Sequence, residues 1–180
     1  AAAITLGVNL EAIASGIANM NGVPGRMELV KNARSLAIVV DYAHTPDALE
    51  KALGAVNQIA SGRILTVFGC GGDRDRGKRI EMGRVAGKRS HNVFITSDNP
   101  RSEDPATIAK EIEKGVIASG QKDYVIELER ETAIRMAIES ALPDDLVLIA
   151  GKGHEDYQII GNTKRDFDDR RVAARAASLP

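Results

Sequence analysis

The chain has 180 residues, 43% of them hydrophobic and 27% charged, with a net charge of −1, which suits one well-filled core and offers no basic excess for nucleic acid. No apolar run approaches a membrane span, no n-region followed by an h-region marks a secretory signal, and the single cysteine, Cys70, fits a reducing cytoplasm. Aromatics at 3% without Trp argue against base stacking, and no Cys/His cluster has the spacing of a structural zinc site.

Residues 1–6 read as the middle of a helix, with no capping residue before them and Gly7 as terminator; with no initial Met, we expect a piece excised from a longer protein. A second helical stretch covers 10–20. Asn21-Gly22-Val23-Pro24-Gly25 then breaks the pattern, and 21–35 reads as a linker. From Leu36 onward, apolar runs at 36–41, 64–68, 92–96, 124–128, 146–150 and, more weakly, 157–160 alternate with helical stretches at 46–60, 78–89, 105–119, 131–141 and 168–177. The runs are rich in Val and Ile and nearly uninterrupted, as strands covered on both faces should be. Thr45 before Pro46 and Asp104 before Pro105 put a capping side chain ahead of proline at the first helical position. The alternation predicts an α/β, Rossmann-like fold: a mostly parallel, doubly wound sheet of about six strands with helices on both faces.

In such a sheet, ligands gather at the carboxyl ends of the strands, and four loops there are unusually polar. Asp98-Asn99-Pro100-Arg101 combines an acid that can pair an ammonium with a guanidinium that can fork a carboxylate. Pro100 fixes one backbone angle and biases Asn99 toward an extended conformation, although an ordinary strand-to-helix turn has similar composition. Asp41-Tyr42-Ala43-His44-Thr45-Pro46 places an acid and a histidine before a helix start, suited to a nucleotide or simply to a cap and a surface histidine. Gly69–Arg79 has four basic residues in six positions, Arg74, Arg76, Lys78 and Arg79, pointing to an anion or a solvated charge run; it has neither the P-loop nor the dinucleotide spacing. In Gly151-Lys152-Gly153-His154-Glu155, two glycines allow close backbone approach, His154 reads as structural, and Glu155 could pair an ammonium near Asp98.

Together with Gly25-Arg26-Met27-Glu28, these segments resemble, in order and over essentially the whole chain, the Mur ligases of bacterial peptidoglycan synthesis, most closely the diaminopimelate-adding branch. The resemblance implies a three-domain, ATP-dependent enzyme of the bacterial cytoplasm, monomeric at full length. Its carboxyl-terminal domain receives the incoming amino acid, here residues 36–180, and residues 1–20 would be the last helices of a central ATPase domain. It implies that ATP and Mg²⁺ bind mainly through that central domain, whose P-loop and magnesium-binding acids this sequence lacks. No metal ligand and no complete catalytic set are therefore expected here, and this piece alone should be inactive. The partners implied are meso-2,6-diaminopimelate, ATP and UDP-N-acetylmuramoyl-dipeptide, joined through an acyl phosphate. By resemblance, Arg26, Asp41 and His44 lie at the ATP, while Arg74, Asp98, Asn99, Pro100, Arg101, Gly151 and Glu155 hold diaminopimelate.

The residue types agree with the second set. The distal end of diaminopimelate presents one carboxylate and one ammonium, which Arg101 can fork and Asp98 and Glu155 can receive, with Asn99 orienting either. L-Lysine lacks that carboxylate and would leave Arg101 unpaired, a loss of about 1.5–3 kcal/mol per charged hydrogen bond. Sites of this kind reject the deficient analogue by on the order of 10⁴-fold. A lysine-adding or folate-polyglutamate-type ligase of the same fold and a non-catalytic nucleotide-binding module are the competing expectations.

Overall fold

The computed structural model describes residues 1–20 and 22–178. The six-stranded sheet has the order β1-β2-β6-β3-β4-β5, with β1 (Glu28–Leu29) antiparallel to β2 (Ala37–Asp41) and the remaining strands, β3 (Ile64–Phe68), β4 (Asn92–Ile95), β5 (Tyr124–Ile126) and β6 (Leu146–Ala150), parallel. The strand count is as expected, but its membership differs. The sixth strand comes from the stretch read as a linker, where Val30 also enters the core. The run at 157–160 is instead β7 (Tyr157–Ile160), paired with β8 (Thr163–Asp166) in a separate hairpin.

Residues alternate strictly between the two faces. Val39, Ile64, Phe68, Val93, Ile95, Leu146 and Leu148 pack against α3 (Pro46–Ile59), α4 (Gly77–Arg89) and α5 (Pro105–Ala118). Ile38, Val40, Leu65, Val67, Phe94, Val147 and Ile149 pack against α6 (Arg130–Ser140) and α7 (Asp169–Ala176). The split follows from crossover handedness. The chain moves from β2 through β3 and β4 to β5 with its helices on one face; to return and insert β6 between β2 and β3 by a right-handed crossover, α6 must take the other face. That reversal leaves a crevice at the carboxyl ends of β2, β6, β3 and β4.

Both proline-led helix starts form as expected: Thr45 Oγ1 accepts from the Ala48 amide, and the Asp104 carboxylate accepts from Ala106 and Thr107. The two amino-terminal helices, α1 (Ala2–Thr5) and α2 (Leu10–Ala18), contain no buried residue, and Leu6, Leu10 and Ile17 are exposed.

Candidate functional site

The four polar loops converge in the crevice on a cleft of about 500 Å³ lined by Tyr42, His44, Thr45, Gly71, Arg74, Asp75, Lys78, Asp98, Asn99, Arg101, Gly151, Glu155 and Tyr157. Six of the seven residues expected at the amino acid are thus brought together, as is His44. Pro100 stands behind the lining, its carbonyl oxygen accepting from the Glu103 amide and meeting Gly72 so closely that a Cβ there would overlap it.

Arg26 and Asp41 lie outside the cleft wall. The Asp41 carboxylate accepts from the Met27 amide through one oxygen and from the Ala43 amide through the other, both at 2.8 Å. Its position therefore gives it a bracing role, tying the segment that carries Arg26 to the carboxyl end of β2. The Arg26 guanidinium lies over the Tyr42 ring, 4.6 Å from its centroid, and reaches the cleft only through that tyrosine. Gly25 and Gly153, both with positive φ, allow this segment to cross the 151–154 loop in backbone contact. His44 Nδ1 lies 2.8 Å from the Tyr42 carbonyl oxygen; because a carbonyl only accepts, Nδ1 carries the proton.

On the opposite wall, sequence reasoning missed the central group. Lys152, fully buried, places its Nζ 3.4 Å from Asp98 Oδ1, 3.2 Å from Asn99 Oδ1 and 3.3 Å from Glu155 Oε2. The two acids expected to receive a ligand ammonium therefore already share an internal one. Among the described residues, Asp98 Oδ2 and Glu155 Oε1 keep no hydrogen bond, and Oδ2 lies over Gly151, 3.0 Å from where a Cβ would stand. Gly151 has φ +115°, a conformation that side-chain-bearing residues rarely adopt.

Asn99 is likewise engaged within the protein. Its amide nitrogen donates to Glu155, and its oxygen accepts from both Lys152 and the Ile159 amide of β7. These bonds fix it in the wall of the cleft between Glu155, Lys152 and β7. Arg101, at φ +52°, donates through Nη1 to the Gly72 and Asn99 carbonyls at 2.9 and 3.4 Å. Among the described residues its Nη2 and Nε make no hydrogen bond, leaving one side of the fork for a carboxylate.

The basic run beside Gly69 divides in two. Arg79 is fully buried and paired with Glu103 and Glu111, so it does not face an external anion, while Arg76, an exposed side chain, also pairs with Glu103 and stands outside the cleft lining. Lys78 donates to the His44 carbonyl and Arg74 to that of Asp73, and both line the cleft with no carboxylate partner within the described chain.

Two further groups had little sequence signal. Arg130 and Asp169 form a fully buried two-pronged pair, and Arg130 also donates to the Ala150 and Ser97 carbonyls, tying the ends of β6 and β4 together beneath the cleft. Gln158 of β7 donates to the Asp98 carbonyl at 2.7 Å. The one available clue was position: Arg130 and Arg79 both sit in the first turn of a helix, where the dipole disfavours a cation and a strong partner is needed.

Among the described residues no group of three or more His, Cys, Asp or Glu is placed to hold a metal ion, and no helix is long and apolar enough to cross a membrane.

Comparison with known proteins agrees with the fold. Residues 25–153 match the family described as Mur ligase, glutamate ligase domain. UDP-N-acetylmuramoyl-L-alanyl-D-glutamate–2,6-diaminopimelate ligase of Geobacter sulfurreducens is 50% identical over 98% of this chain and 37% of its own length. The ligase of the same name from Geobacillus kaustophilus is 52% identical over 98% and 36%. A solved structure of a ligase of that name superposes with a TM-score of 0.79 at 41% identity, covering 98% of this chain and 36% of the other. The chain thus spans a little over a third of the relatives it matches. It belongs to the Mur ligase family.

Proposed function

We propose that this chain is the carboxyl-terminal, amino-acid-receiving domain of a bacterial ATP-dependent ligase that adds meso-2,6-diaminopimelate to UDP-N-acetylmuramoyl-L-alanyl-D-glutamate. The observation that carries the proposal is the pairing, in one cleft, of guanidiniums with unengaged donors, Arg74 and Arg101, and acids with unengaged oxygens, Asp98 and Glu155. An amino-acid head presents that charge pair in reverse. The roughly 50% identity to relatives of this name supports the choice of substrate.

In the proposed reaction, ATP phosphorylates the glutamate carboxylate to an acyl phosphate. The free amine of diaminopimelate attacks the carbonyl carbon, and phosphate leaves with the original carboxylate oxygen. This chain's task is to hold the distal head, the carboxylate on Arg101 and Arg74 and the ammonium on Asp98 and Glu155, so that the other amine projects toward the acyl phosphate. Fixing the substrate at its far end converts an encounter into an oriented approach. Tyr42, His44 and Lys78 form the other end of the wall, with the Arg26 guanidinium stacked on the Tyr42 ring outside it, a group suited by charge to the polyphosphate of ATP. Magnesium would be held mainly by the preceding ATPase domain, where it would neutralise charge on the transferring phosphoryl group. Residues 1–20, with their apolar side chains exposed, fit the end of a preceding ATPase domain, and 36–180 the receiving domain.

Arg101→Ala in the full-length ligase tests the reading. The KM for diaminopimelate should rise by at least about tenfold, as expected for a lost charged hydrogen bond, with the KM for ATP unaltered. An unchanged KM for diaminopimelate would remove Arg101 from the amino-acid site.

A further inference from the structure

We propose that Lys152 is a charge-setting residue: its buried ammonium reduces the acid wall formed by Asp98 and Glu155 to one net negative charge, and so tunes the cleft to accept a single substrate ammonium. The inference rests on the substrate reading above and adds a positioning residue to it.

The geometry is that of a cage. Nζ faces three acceptor oxygens, at 3.4 Å on Asp98, 3.2 Å on Asn99 and 3.3 Å on Glu155, one for each of its protons. The Tyr157 ring lies over it with its centroid 5.6 Å away, and the lysine side chain has no exposure. An unpaired ammonium in such a place would be strongly disfavoured, so the acids hold it as firmly as it holds them. Because both carboxylates give one oxygen to the same nitrogen, Lys152 also fixes their separation and turns Asp98 Oδ2 and Glu155 Oε1 outward. The Gln158 bond to the Asp98 carbonyl and the Ile159 bond to Asn99 hold the rest of the frame still.

The charge count gives the selectivity. Two carboxylates without Lys152 would present two negative charges to the cleft, better matched by a dication than by an amino-acid head. With Lys152 they present one, while Arg101 and Arg74 face the carboxylate. The wall thereby matches one ammonium beside one carboxylate. Lysine suits the task because its compact charge can sit at the centre of three oxygens, which the planar fork of arginine cannot do.

The test uses the full-length ligase. Lys152→Met should raise the KM for diaminopimelate by about 10- to 100-fold, the scale of a charged hydrogen bond lost beside a buried carboxylate, and leave kcat and the KM for ATP near wild type. Methylammonium, small enough to refill the cage, should lower the raised KM and raise the melting temperature of Lys152→Met while leaving the wild type unchanged. A KM for diaminopimelate that stays at the wild-type value, or no response to methylammonium in either measurement, overturns the role of Lys152. If Lys152→Met fails to fold, Lys152→Met/Glu155→Gln, which removes one carboxylate with the ammonium, should fold; a double variant that stays unfolded overturns the charge argument. A wild-type enzyme that does not use diaminopimelate, beside a Lys152→Met variant that methylammonium still stabilises, would reject the substrate reading and leave the cage standing.

Discussion

The two loops that meet across the cleft are braced by buried arginines in contrasting ways. Beneath the Asp98–Arg101 loop, Arg130 and its partner Asp169 are both without exposure, and the guanidinium reaches up to the carbonyls of Ala150 and Ser97. Beneath the glycine loop, Arg79 is equally buried, but its partners Glu103 and Glu111 retain 11% and 26% exposure. One brace is sealed; the other has a wet side. A sealed pair cannot be broken without stranding a charge, whereas a wet one can recover water on its acids. The loop expected to choose the substrate therefore stands on the stiffer support, and the loop carrying Arg74 on the softer one.

The largest effect should come from breaking the sealed pair. Arg130→Ala strands Asp169 in the core and should cost about 3–5 kcal/mol in denaturant unfolding of this chain. Arg130→Met/Asp169→Leu, which removes both charges and fills the space, should recover most of that loss. If the single variant loses less than about 1 kcal/mol, within the range of an exposed pair, the pair is not sealed and the contrast fails.

How much of this was visible in the sequence depended on the range of the interaction. The strands 64–68 and 146–150 and the starts of α3 and α5 were legible to the residue, because apolar runs and proline-led caps are local signals. The convergence of the four loops was legible too, since topology dictates where strand ends gather. Glu28–Leu29 escaped because two residues carry no periodicity; only pairing with β2 makes them a strand. The run at 157–160 was seen, but its place in a separate hairpin depended on Thr163–Asp166, a polar segment with no strand signature. In the site, charge identity was readable and charge pairing was not. Asp98, Glu155 and Lys152 stand 3 to 57 positions apart, and only the folded arrangement shows that the lysine occupies the space between the acids.

A middle-sized effect sharpens the contrast. Arg79→Met leaves Glu103 and Glu111 able to rehydrate, so it should cost about 1–3 kcal/mol, less than Arg130→Ala measured in the same way. Part of the difference is intrinsic to the site, because Arg79 Nε is already buried without a partner and loses nothing. Equal losses for the two variants would mean that the exposure of the glutamates is immaterial.

The smallest expected effect concerns acid. Hydrogen bonds from the Arg79 guanidinium, and then from the Asp73 amide, pull the Glu103 carboxyl down from 4.5 to about 2. The unfolded chain takes up this proton near pH 4.5 and the folded chain only near 2. The stabilisation is thus complete above pH 4.5, declines as the pH falls below it, and is gone below about 2. The amide of Asp73 donates to Glu103 Oε1 at 2.7 Å and should lose hydrogen-exchange protection over that window. The amide of Ile159 on the other side of the cleft donates to Asn99, a neutral acceptor that does not titrate, and should keep its protection. Protection factors for the two amides at pH 6 and pH 3 make the comparison. Protection lost in parallel would show the two loops opening as one unit, and the difference between their braces would then have no dynamic consequence.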